Sequence, residues 1–487
     1  MVAQPKLYIQ IEEDQKSQSS DLKWTSVIVR EVVEKEYRLE ASVYGIESRK
    51  ARENLEQCKW DIVHLGDEFE KAFYLGRFKR IYVKKEDGIP FILPSQITEV
   101  YPKASKFISP TTDVDIESTR VKKGQVLLTR SGTIGVVSYV SKTLENQSIS
   151  DDVIRIETRP YSGYIYAYLK SKIGRLLIET NNYGAVISHI EPEHLDRIPI
   201  PNPPLILKQT ISNLIENSFK LRDESNELMD EAQTLLKEAL QLPDIEKLQG
   251  KTRQFDKIVG TLNYSIPLSD LGNRLDGSYH VPIVRVLEQH LEKTAREIVK
   301  VEDSRISRTV ILPGRFKRVY VEEGNGIVFF GGKQIYELDP SNKKYLSMDQ
   351  HGDRIKNQLT LRENMIMITC SGTIGKVTIV PKHWDGWTAN QHIIRIVPTN
   401  NEIAGYLYAW LSSDYAYPLI TRYTYGAVVD EIDDKHVSEI VVPLLRDESS
   451  QRAINDKVLE ANQKRTEAYE LEQQALAILN EKVIYAR

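Results

Sequence analysis

Two short basic segments hold the side chains best suited to bind phosphate groups. Residues 76–83 read Gly-Arg-Phe-Lys-Arg-Ile-Tyr-Val, and residues 314–321 repeat this run with Val in place of Ile. In a strand, successive side chains point to opposite faces, so Arg77 and Lys79 would share one face, with Phe78 on the other. Clustered cations can neutralise nucleic-acid phosphates, and a solvated strand face is the simpler alternative. The candidate side chains in and beside these segments are Arg77, Lys79, Arg80, Lys84, Lys85, Arg315, Lys317 and Arg318.

A Ser-Gly-Thr-Ile-Gly turn also occurs twice, at residues 131–135 and 371–375. It lacks the Gly-Lys-Ser/Thr ending of a nucleotide-binding phosphate loop, and a strand rather than a helix is predicted to follow, which excludes that motif. The simplest interpretation is a tight turn between strands. A functional alternative is that backbone N–H groups and hydroxyls of the turn face a DNA phosphate. The side chains of that alternative are Arg130, Ser131, Thr133, Ser371 and Thr373.

No group of residues indicates catalysis, a metal site or a cofactor. The nine histidines form no pair at metal-ligand spacing. Cys58 and Cys370 do not occupy matched positions, so we expect two reduced thiols rather than a disulfide or metal site. Residues 202–205, Asn-Pro-Pro-Leu, are similar to the Asn-Pro-Pro-aromatic tetrad of adenine methyltransferases. The aromatic residue is missing and no Gly-rich methyl-donor loop precedes it, so a proline-rich start of a helix is the better interpretation.

The chain contains two copies of one long unit. The offset between the copies is 238 residues for the basic segments, 240 for the Ser-Gly-Thr-Ile-Gly turns and 242 for the Tyr-Gly-Ala-Val blocks that begin at Tyr183 and Tyr425. This drift indicates small insertions in a duplicated domain, since solenoid repeats are only about 20–50 residues long. Helical spacing predicts helices over 164–178 and 406–420. Short β-branched runs between turn residues predict strands at 125–129, 135–140, 153–156, 365–369, 376–380 and 393–396.

Each β-rich unit is followed by a long amphipathic segment. From residue 211 to residue 242, Ile or small residues alternate with Leu at steps of three and four, a heptad pattern with Leu at every d position. The C-terminal segment matches it at an offset of 243. Two such helices in one chain most simply pair as an antiparallel coiled coil and hold the β-rich bodies apart at opposite ends of a rod. At about 1.5 Å per residue, the first helix would span roughly 55 Å.

The bulk composition is ordinary for a globular protein, the length allows two to four domains, and the predicted strands and helices indicate the α+β class. The 487 residues include 41% hydrophobic and 28% charged residues, and the net charge is −4. No window resembles a membrane span, and the polar, acidic residues 1–20 do not form a signal peptide, so a cytoplasmic location is expected. The expected segments are an N-terminal extension (1–23), a β-rich domain (24–203), a long helix (204–243), a linker (244–263), a second β-rich domain (264–444) and a second long helix (445–487).

The doubled order of these motifs resembles the specificity subunit of type I restriction–modification systems. The copies open with residues 38–42 and 274–279, which are similar to that family's Arg-Leu-Asp-x-x-Tyr start, and each ends in a proline-rich segment before a helix with Gln209 or Gln451. The first copy departs from the pattern, with Glu40 in place of Asp and no Tyr at the matched spacing. Its N-terminal extension is also longer than the pattern requires.

The resemblance implies a division of labour along the chain. Each β-rich body would be a target-recognition domain that reads one half of a split double-stranded DNA site. The helices would act as a spacer and dock two DNA methyltransferase subunits, which supply the methyl donor. Motor and nuclease activities would belong to a further restriction subunit, and this chain would not be an enzyme.

Two domains that share a scaffold but read different half-sites should differ where they contact bases. The copies diverge most between 84–122 and 322–362, and between 139–152 and 379–392. Arg and Lys suit guanine edges, whereas Asn and Gln suit adenine. We expect base-reading side chains among Lys84, Lys85, Lys103, Lys106, Asn146, Gln147, Lys333, Lys343, Lys344, Asn357, Gln358, Asn390 and Gln391.

Other functions remain open at this point. The chain could serve another type of modification enzyme or act as a DNA mimic, but a mimic would carry acidic loops where this chain has basic segments. It could instead be a coiled-coil adaptor whose β-rich bodies bind protein, and such an adaptor would lack salt-dependent DNA affinity. An enzyme in its own right is the third alternative, and no residue can be nominated for its chemistry.

Overall fold

The computed structural model of the protein describes residues 26–34, 37, 44–180, 189–245, 247–248, 254–255, 262–272, 274–341, 343–426 and 428–487. Three sequence features lie outside the described residues: the extension 1–23, the first opening motif at 38–42 and the first Tyr-Gly-Ala-Val block at 183–186. The expected linker 244–263 is described only in part.

In the first half of the described chain, short strands and helices precede one long helix. The strands are β1 (Ile62–His64), β2 (Phe69–Phe73), β3 (Ile89–Ile92), β4 (Lys106–Ile108), β5 (Val126–Thr129), β6 (Val137–Tyr139), β7 (Ser148–Ile149), β8 (Val153–Thr158) and β9 (Pro199–Pro201). The helices are α1 (Val29–Glu34), α2 (Ile46–Glu56), α3 (Ile116–Thr119), α4 (Ser162–Lys170), α5 (Lys172–Thr180), α6 (Pro192–Asp196) and α7 (Leu205–Ala239).

The second half repeats this order. Its strands are β10 (Gln254–Phe255), β11 (Leu262–Asn263), β12 (Glu297–Lys300), β13 (Ser307–Ile311), β14 (Tyr320–Val321), β15 (Ile327–Phe330), β16 (Lys344–Leu346), β17 (Ile366–Thr369), β18 (Val377–Ile379), β19 (Thr388–Ala389), β20 (Ile393–Pro398) and β21 (Val441–Leu444). Its helices are α8 (Pro282–Thr294), α9 (Met348–Arg354), α10 (Asn401–Leu411), α11 (Ala416–Thr421), α12 (Asp434–Ser438) and α13 (Glu448–Leu479).

The same four-stranded antiparallel sheet is built twice. Its strand order is β2-β8-β5-β6 in the first copy and β13-β20-β17-β18 in the second. The registers also match, because Phe73 pairs with Arg155 and Ile311 pairs with Arg395. The β-branched and aliphatic residues of β5 and β17 are buried along the whole strand, as suits a central position in a sheet. The predicted duplication and the α+β class are therefore confirmed.

A second, smaller sheet is built where the copies diverge in sequence. Its strand order is β4-β3-β7 in the first copy and β14-β16-β15-β19 in the second. Segments 84–122 and 322–362, in which we expect base-reading residues, thus contain strands and core side chains as well as loops. Phe91 and Phe330 are buried in these segments. Only the exposed residues of the segments are therefore free to differ with function.

Each helix predicted over 164–178 and 406–420 is two helices in the structure. The break falls at Ser171 in the first copy and at Ser413 in the second. Each serine hydroxyl donates to the carbonyl three residues earlier, at 2.7 and 2.6 Å, and accepts from the N–H three residues later, at 3.1 Å in both copies. The spacing of apolar residues indicates the helical faces but not this local competition of a hydroxyl with the helix backbone.

The two long helices pack against each other in opposite directions. Ser218 Oγ in α7 donates to the Ala468 carbonyl oxygen in α13 at 2.6 Å, and Glu231 lies 2.6 Å from Lys457. Residue numbers in α13 fall as those of their contacts in α7 rise, so the two helices are antiparallel. The 35 residues of α7 span roughly 50 Å at about 1.5 Å per residue.

The buried stripe of α7 differs from the predicted leucine stripe. Leu214, Leu228 and Leu235 are only half-buried and lie against the cores of the β-rich domains. The predicted leucine seam is wrong because each helix covers a domain as well as its partner helix, whereas the heptad rule considers the partner alone. The buried side chains of α7 at alternating steps of four and three are Ile211, Ile215, Ser218, Arg222, Ser225, Met229, Ala232 and Leu236. Their counterparts in α13 are Ile454, Val458, Ala461, Arg465, Ala468, Glu472, Ala475 and Leu479.

The β-rich domains lie along the helix pair rather than at its ends. The Asp223 carboxylate, near the middle of α7, accepts hydrogen bonds from the backbone N–H groups of Lys142 and Thr143 at 3.0 and 2.9 Å. The domains also contact each other, because Val100 N donates to the Tyr336 carbonyl oxygen at 2.8 Å. The prediction that the rod holds the bodies apart is wrong, since the length of a helix does not determine where a domain docks along it.

A pseudo-twofold axis relates the two halves of the protein. Glu99 forms a backbone bridge with Glu337, its own counterpart at an offset of 238. Residues that contact their own counterparts lie on a twofold axis. The Glu99 side chain is 10% exposed, and burial raises the pKa of its carboxyl to about 7; Lys376 opposes this rise and Glu337 adds to it.

We expect Glu99→Gln to make stability less dependent on pH. Because the folded-state pKa is raised from 4.5, the stability contributed by the protonated carboxyl is complete below about pH 4.5 and is lost as the pH rises through 7. The urea midpoint of the variant should therefore rise relative to that of the natural chain between about pH 5 and 8. The same substitution at exposed Glu363 is the control. A constant difference across this pH range would contradict the prediction.

Candidate nucleic-acid interface

The two Ser-Gly-Thr-Ile-Gly segments are turns between strands, as predicted. Residues 131–135 join β5 to β6, and residues 371–375 join β17 to β18. Thr129 and Thr369 hold them, each donating from Oγ1 to a carbonyl of the turn, at 2.5 and 2.6 Å, and accepting from an N–H beyond it at 3.0 Å. Gly132 has a φ of +73°, in the left-handed region that favours glycine.

The hydroxyls of these turns differ in position. Thr133 and Thr373 are exposed, whereas Ser131 and Ser371 are half-buried. Ser371 lines a cleft beside the second basic segment, but Thr373 lines a different cavity, between the two β-rich domains. In the second copy, one hydroxyl of the turn therefore lies at the cleft and the other at the cavity between the domains.

The first basic segment is extended chain rather than a strand, except for an isolated bridge at Tyr82. The alternation of its side chains is nevertheless present. Arg77 and Lys79 are exposed, while Phe78 packs edge-on against Phe91 with ring centroids 6.2 Å apart. Two cations thus face solvent on a backbone held by aromatic packing.

The second basic segment borders a cleft of about 230 Å³. Arg315 is 78% exposed, and its Nη2 lies 3.0 Å from Glu431 Oε1. Arg318 Nη2 donates to Gln391 Oε1 at 2.7 Å, and Lys317 between them is exposed. The polar side chains that line the cleft are Arg315, Ser371, Gln391, His392, Tyr425 and Glu431. The structure therefore brings Arg315, Ser371 and Gln391 together, although they are far apart in the sequence.

The first copy builds the equivalent position with a different charge. Arg80 forms an ion pair with Asp151, whose side chain is 4% exposed. Asp151 corresponds to Gln391 at an offset of 240. One scaffold thus carries an arginine–carboxylate pair in one domain and an arginine–amide pair in the other, as expected if the two domains bind different partners.

Arg130 lies beneath the surface beside the first turn. Its guanidinium is 2.5 Å from Glu191 Oε1 and 4.0 Å from the centre of the Tyr74 ring, and the residue is 8% exposed. These contacts make Arg130 a group that holds the turn in place in this structure. Cys370, its counterpart, is also buried.

The remaining predicted residues are scattered over both domains. Lys343 pairs with Asp339, which also lies 3.8 Å from Lys170, so an internal ion cluster holds it. Lys103 lines the cavity between the domains. The exposed candidates are Lys84, Lys85, Lys103, Lys106, Asn146, Lys333, Lys344, Asn357 and Gln358. Gln147, Asn390 and Gln391 are half-buried.

Sequence reasoning missed two buried arginines at matched positions. Arg155 and Arg395 are 1% and 0% exposed, and burial lowers the pKa of their guanidinium groups to about 10 and about 9. Arg395 donates to the carbonyl oxygens of Ala389 and Ile393 at 2.5 and 2.6 Å and so holds the segment that carries Gln391. Both copies place an arginine between two isoleucines in a predicted strand, and this repeated pattern could have indicated that the arginines are buried.

Other chemical sites find no support in the described part of the chain. No group of three or more His, Cys, Asp or Glu side chains there could hold a metal ion. No described helix is long and apolar enough to cross a membrane. The Asn-Pro-Pro-Leu segment leads into α7, with Pro204 as the residue before the helix, as the simpler interpretation predicts.

Comparison with known proteins gives a family match to both copies. The model of the type I restriction modification DNA specificity domain matches residues 58–231 and 324–466, together more than half of the chain. The specificity subunit of the type I restriction enzyme EcoKI from Escherichia coli (strain K12) is 23% identical over 253 residues. That match covers 47% of this chain and 54% of the relative, so the chain spans about half the length of the relative.

Two solved structures are also similar. The S subunit of a type I restriction–modification system from M. genitalium is 15% identical, with a TM-score of 0.28, over 88% of this chain and 96% of that one. The HsdS subunit from Thermoanaerobacter tengcongensis is 16% identical, with a TM-score of 0.26, over 86% of this chain and 95% of that one. The assignment rests on the family model, which covers most of the strands and the greater part of each long helix: the chain belongs to the type I restriction modification DNA specificity domain family.

Proposed function

We propose that this chain is the non-catalytic DNA-recognition subunit of a type I restriction–modification complex. In this proposal residues 24–203 form a first recognition domain and residues 264–444 a second, and each reads one half of a bipartite site. The observation that carries the proposal is the pair of matched surfaces. Each domain exposes two cations, Arg77 and Lys79 or Arg315 and Lys317, at the same place on the same fold.

These four cations are the proposed phosphate contacts, with Thr133 and Ser371 at the turns beside them; Thr373 faces the cavity between the domains instead. Contacts of this kind position a protein on the duplex without reading its sequence. Sequence would be read by side chains that differ between the copies near these cations, such as Gln391 in the second domain. Amide side chains suit adenine edges, and the lysines listed above suit guanine.

The long helices are the proposed spacer and the docking surface for two methyltransferase subunits. Their pairing, as an antiparallel coiled coil, would set the distance between half-sites. The pseudo-twofold axis through Glu99 and Glu337 would present the two recognition surfaces to the duplex in opposite orientations.

The test is long-read detection of methylated adenine in cells that express this chain with its neighbouring methyltransferase gene. We expect an interrupted, two-part motif that is absent from cells with the methyltransferase alone, because neither half-site is read without this chain. A chain with Arg315→Ala and Lys317→Ala should methylate the same motif less completely, since phosphate contacts carry affinity rather than sequence. No new motif in the presence of folded chain and active methyltransferase would contradict the proposal.

A further inference from the structure

A cavity of about 530 Å³ lies between the two β-rich domains, beside the helix pair. Its wall includes Gln96, Glu99 and Tyr101 from the first domain and Tyr408 and Tyr417 from the second. This volume falls in the range of small-molecule sites, roughly 300–1,000 Å³. The cavity is separate from the cleft beside Arg315, so the proposed DNA contacts do not account for it.

Arg465 of α13 lines this cavity without a carboxylate partner among the described residues. It is 5% exposed, and Nε donates to Ser225 Oγ at 3.4 Å, the single hydrogen bond described for it. A buried guanidinium that lacks a counter-charge is costly, so such a group requires an explanation. Two carboxylates line the same cavity, and neither forms a described ion pair with Arg465: Asp230 accepts from the Tyr101 hydroxyl at 2.5 Å, and Glu99 lies 4.0 Å from Lys376.

The equivalent site in the other half of the protein contains an arginine whose charge is neutralised by a carboxylate. Arg222 is the counterpart of Arg465 at the helix offset of 243, and it forms an ion pair with the fully buried Glu472. The counterpart of Glu472 at the same offset is Met229, which is 6% exposed and lines the cavity. A thioether thus stands where the related site has its carboxylate.

The two sites also differ in how much of their volume side chains fill. Lys170 joins the ion cluster around Glu472, and its counterpart at the offset of 242 is Ser412. The equivalence of these helices is supported by Tyr164 and Tyr406, whose hydroxyls bond equivalent proline carbonyls. The cavity beside Arg222 is about 150 Å³, against about 530 Å³ beside Arg465. Side chains fill the first site, and the second is left open.

We propose that the cavity beside Arg465 binds a small organic anion, whose carboxylate or phosphate pairs with the guanidinium. The body of the ligand packs against Met229, Tyr408 and Tyr417, so an aromatic or other apolar group is favoured. Arginine suits this role because its planar fork binds carboxylate and phosphate in the same bidentate geometry. A ligand there contacts both β-rich domains and both long helices at once.

The test is isothermal titration of the full chain with benzoate, phenyl phosphate and neutral benzamide. We expect at least one of the two anions to bind, and to bind at least about tenfold more tightly than benzamide, because the charged hydrogen bonds require an anion. Which anion binds identifies the ligand as a carboxylate or a phosphate. No heat from either anion up to about 10 mM, or equal affinity for benzamide, would overturn the proposal.

Two variants test the site in opposite ways. Arg465→Met removes the guanidinium, and Met229→Glu supplies the carboxylate that Glu472 gives to Arg222. Both should weaken anion binding at least about tenfold, and the second keeps the arginine, so it remains informative if the first fails to fold. Arg452→Met, an equal loss of charge on the exposed face of the same helix, is the matched control. Unchanged binding in Met229→Glu, or equal loss in Arg452→Met, would overturn the assignment.

Discussion

A chain in which residues 74–157 also replace residues 312–397 should direct methylation to a site with two identical, inverted half-sites. The exchange copies the first proposed recognition surface into the second domain. Its junctions follow Ile311 and Val397, the counterparts of Phe73 and Glu157. The sheets should keep their register, because Ile311 pairs with Arg395 as Phe73 pairs with Arg155. The half-site that we propose for the second domain should disappear entirely, because all the residues of its cleft before Tyr425 are replaced.

The measurement is again the map of methylated adenine in cells with the methyltransferase. The half-site of the first domain is an internal control for folding, since that domain is unchanged in the chimera. The reciprocal exchange, residues 312–397 in place of 74–157, should duplicate the other half-site. Survival of the second half-site in the first chimera would show that its readers lie elsewhere, and the proposed assignment would be wrong.

Replacing Glu472 by Gln should destabilise the whole helix–domain assembly by about 3–5 kcal/mol, the usual cost of breaking a buried ion pair from one side. Glu472 is fully buried in α13, accepts from the Tyr166 hydroxyl at 2.9 Å and pairs with Lys170 and Arg222. Glutamine keeps the shape but leaves Arg222 without its counter-charge and Lys170 with Asp339 alone, 3.8 Å away. Urea unfolding of the natural chain and the variant measures the difference.

The exposed Glu470 provides the control, because Glu470→Gln makes the same chemical change two residues away and should stay within about 0.5 kcal/mol. The effect of Glu472 should also depend on pH. Burial alone would raise the pKa of its carboxyl, but Lys170 and Arg222 lower it to about 2. The stability it contributes is complete above about pH 4.5 and is lost as the pH falls towards 2. Equal stability of Glu472→Gln and the natural chain at neutral pH would rule out this role.

Local features of the fold could be predicted from the sequence because they depend on neighbouring residues. The Ser-Gly-Thr-Ile-Gly turns follow from glycines that adopt positive φ, and the central strands follow from β-branched runs. Duplicated blocks at offsets of 238 to 243 indicated two equivalent domains and two equivalent helices. The same blocks, in their order, also carried the resemblance to the family.

The environment of single charged side chains could not be predicted in this way. Arg77 and Arg130 are equally basic in the sequence, yet Arg77 is exposed and Arg130 is 8% exposed beside Glu191. Lys343 looked like a base reader, but it pairs with Asp339 next to the helix pair. Glu191 is 61 residues from Arg130 in the chain, and only folding brings the two within the few ångströms over which such pairs act. Asp339 is close to Lys343 in the sequence, but folding alone adds Lys170 to the same ion cluster.

By itself, the sequence determined the duplication, the turns, six strands of the two four-stranded sheets, the two long helices and the family. Those properties follow from residue order and short-range periodicity. The tertiary structure alone decided that the helices bury the stripe through Arg222 and Met229 instead of the leucines. It also decided that the domains meet at Glu99 and Glu337, and that Arg465 faces a cavity while Arg222 faces Glu472. Each of these outcomes depends on how the two long helices and the β-rich domains pack together. The periodicity of one segment cannot predict that packing.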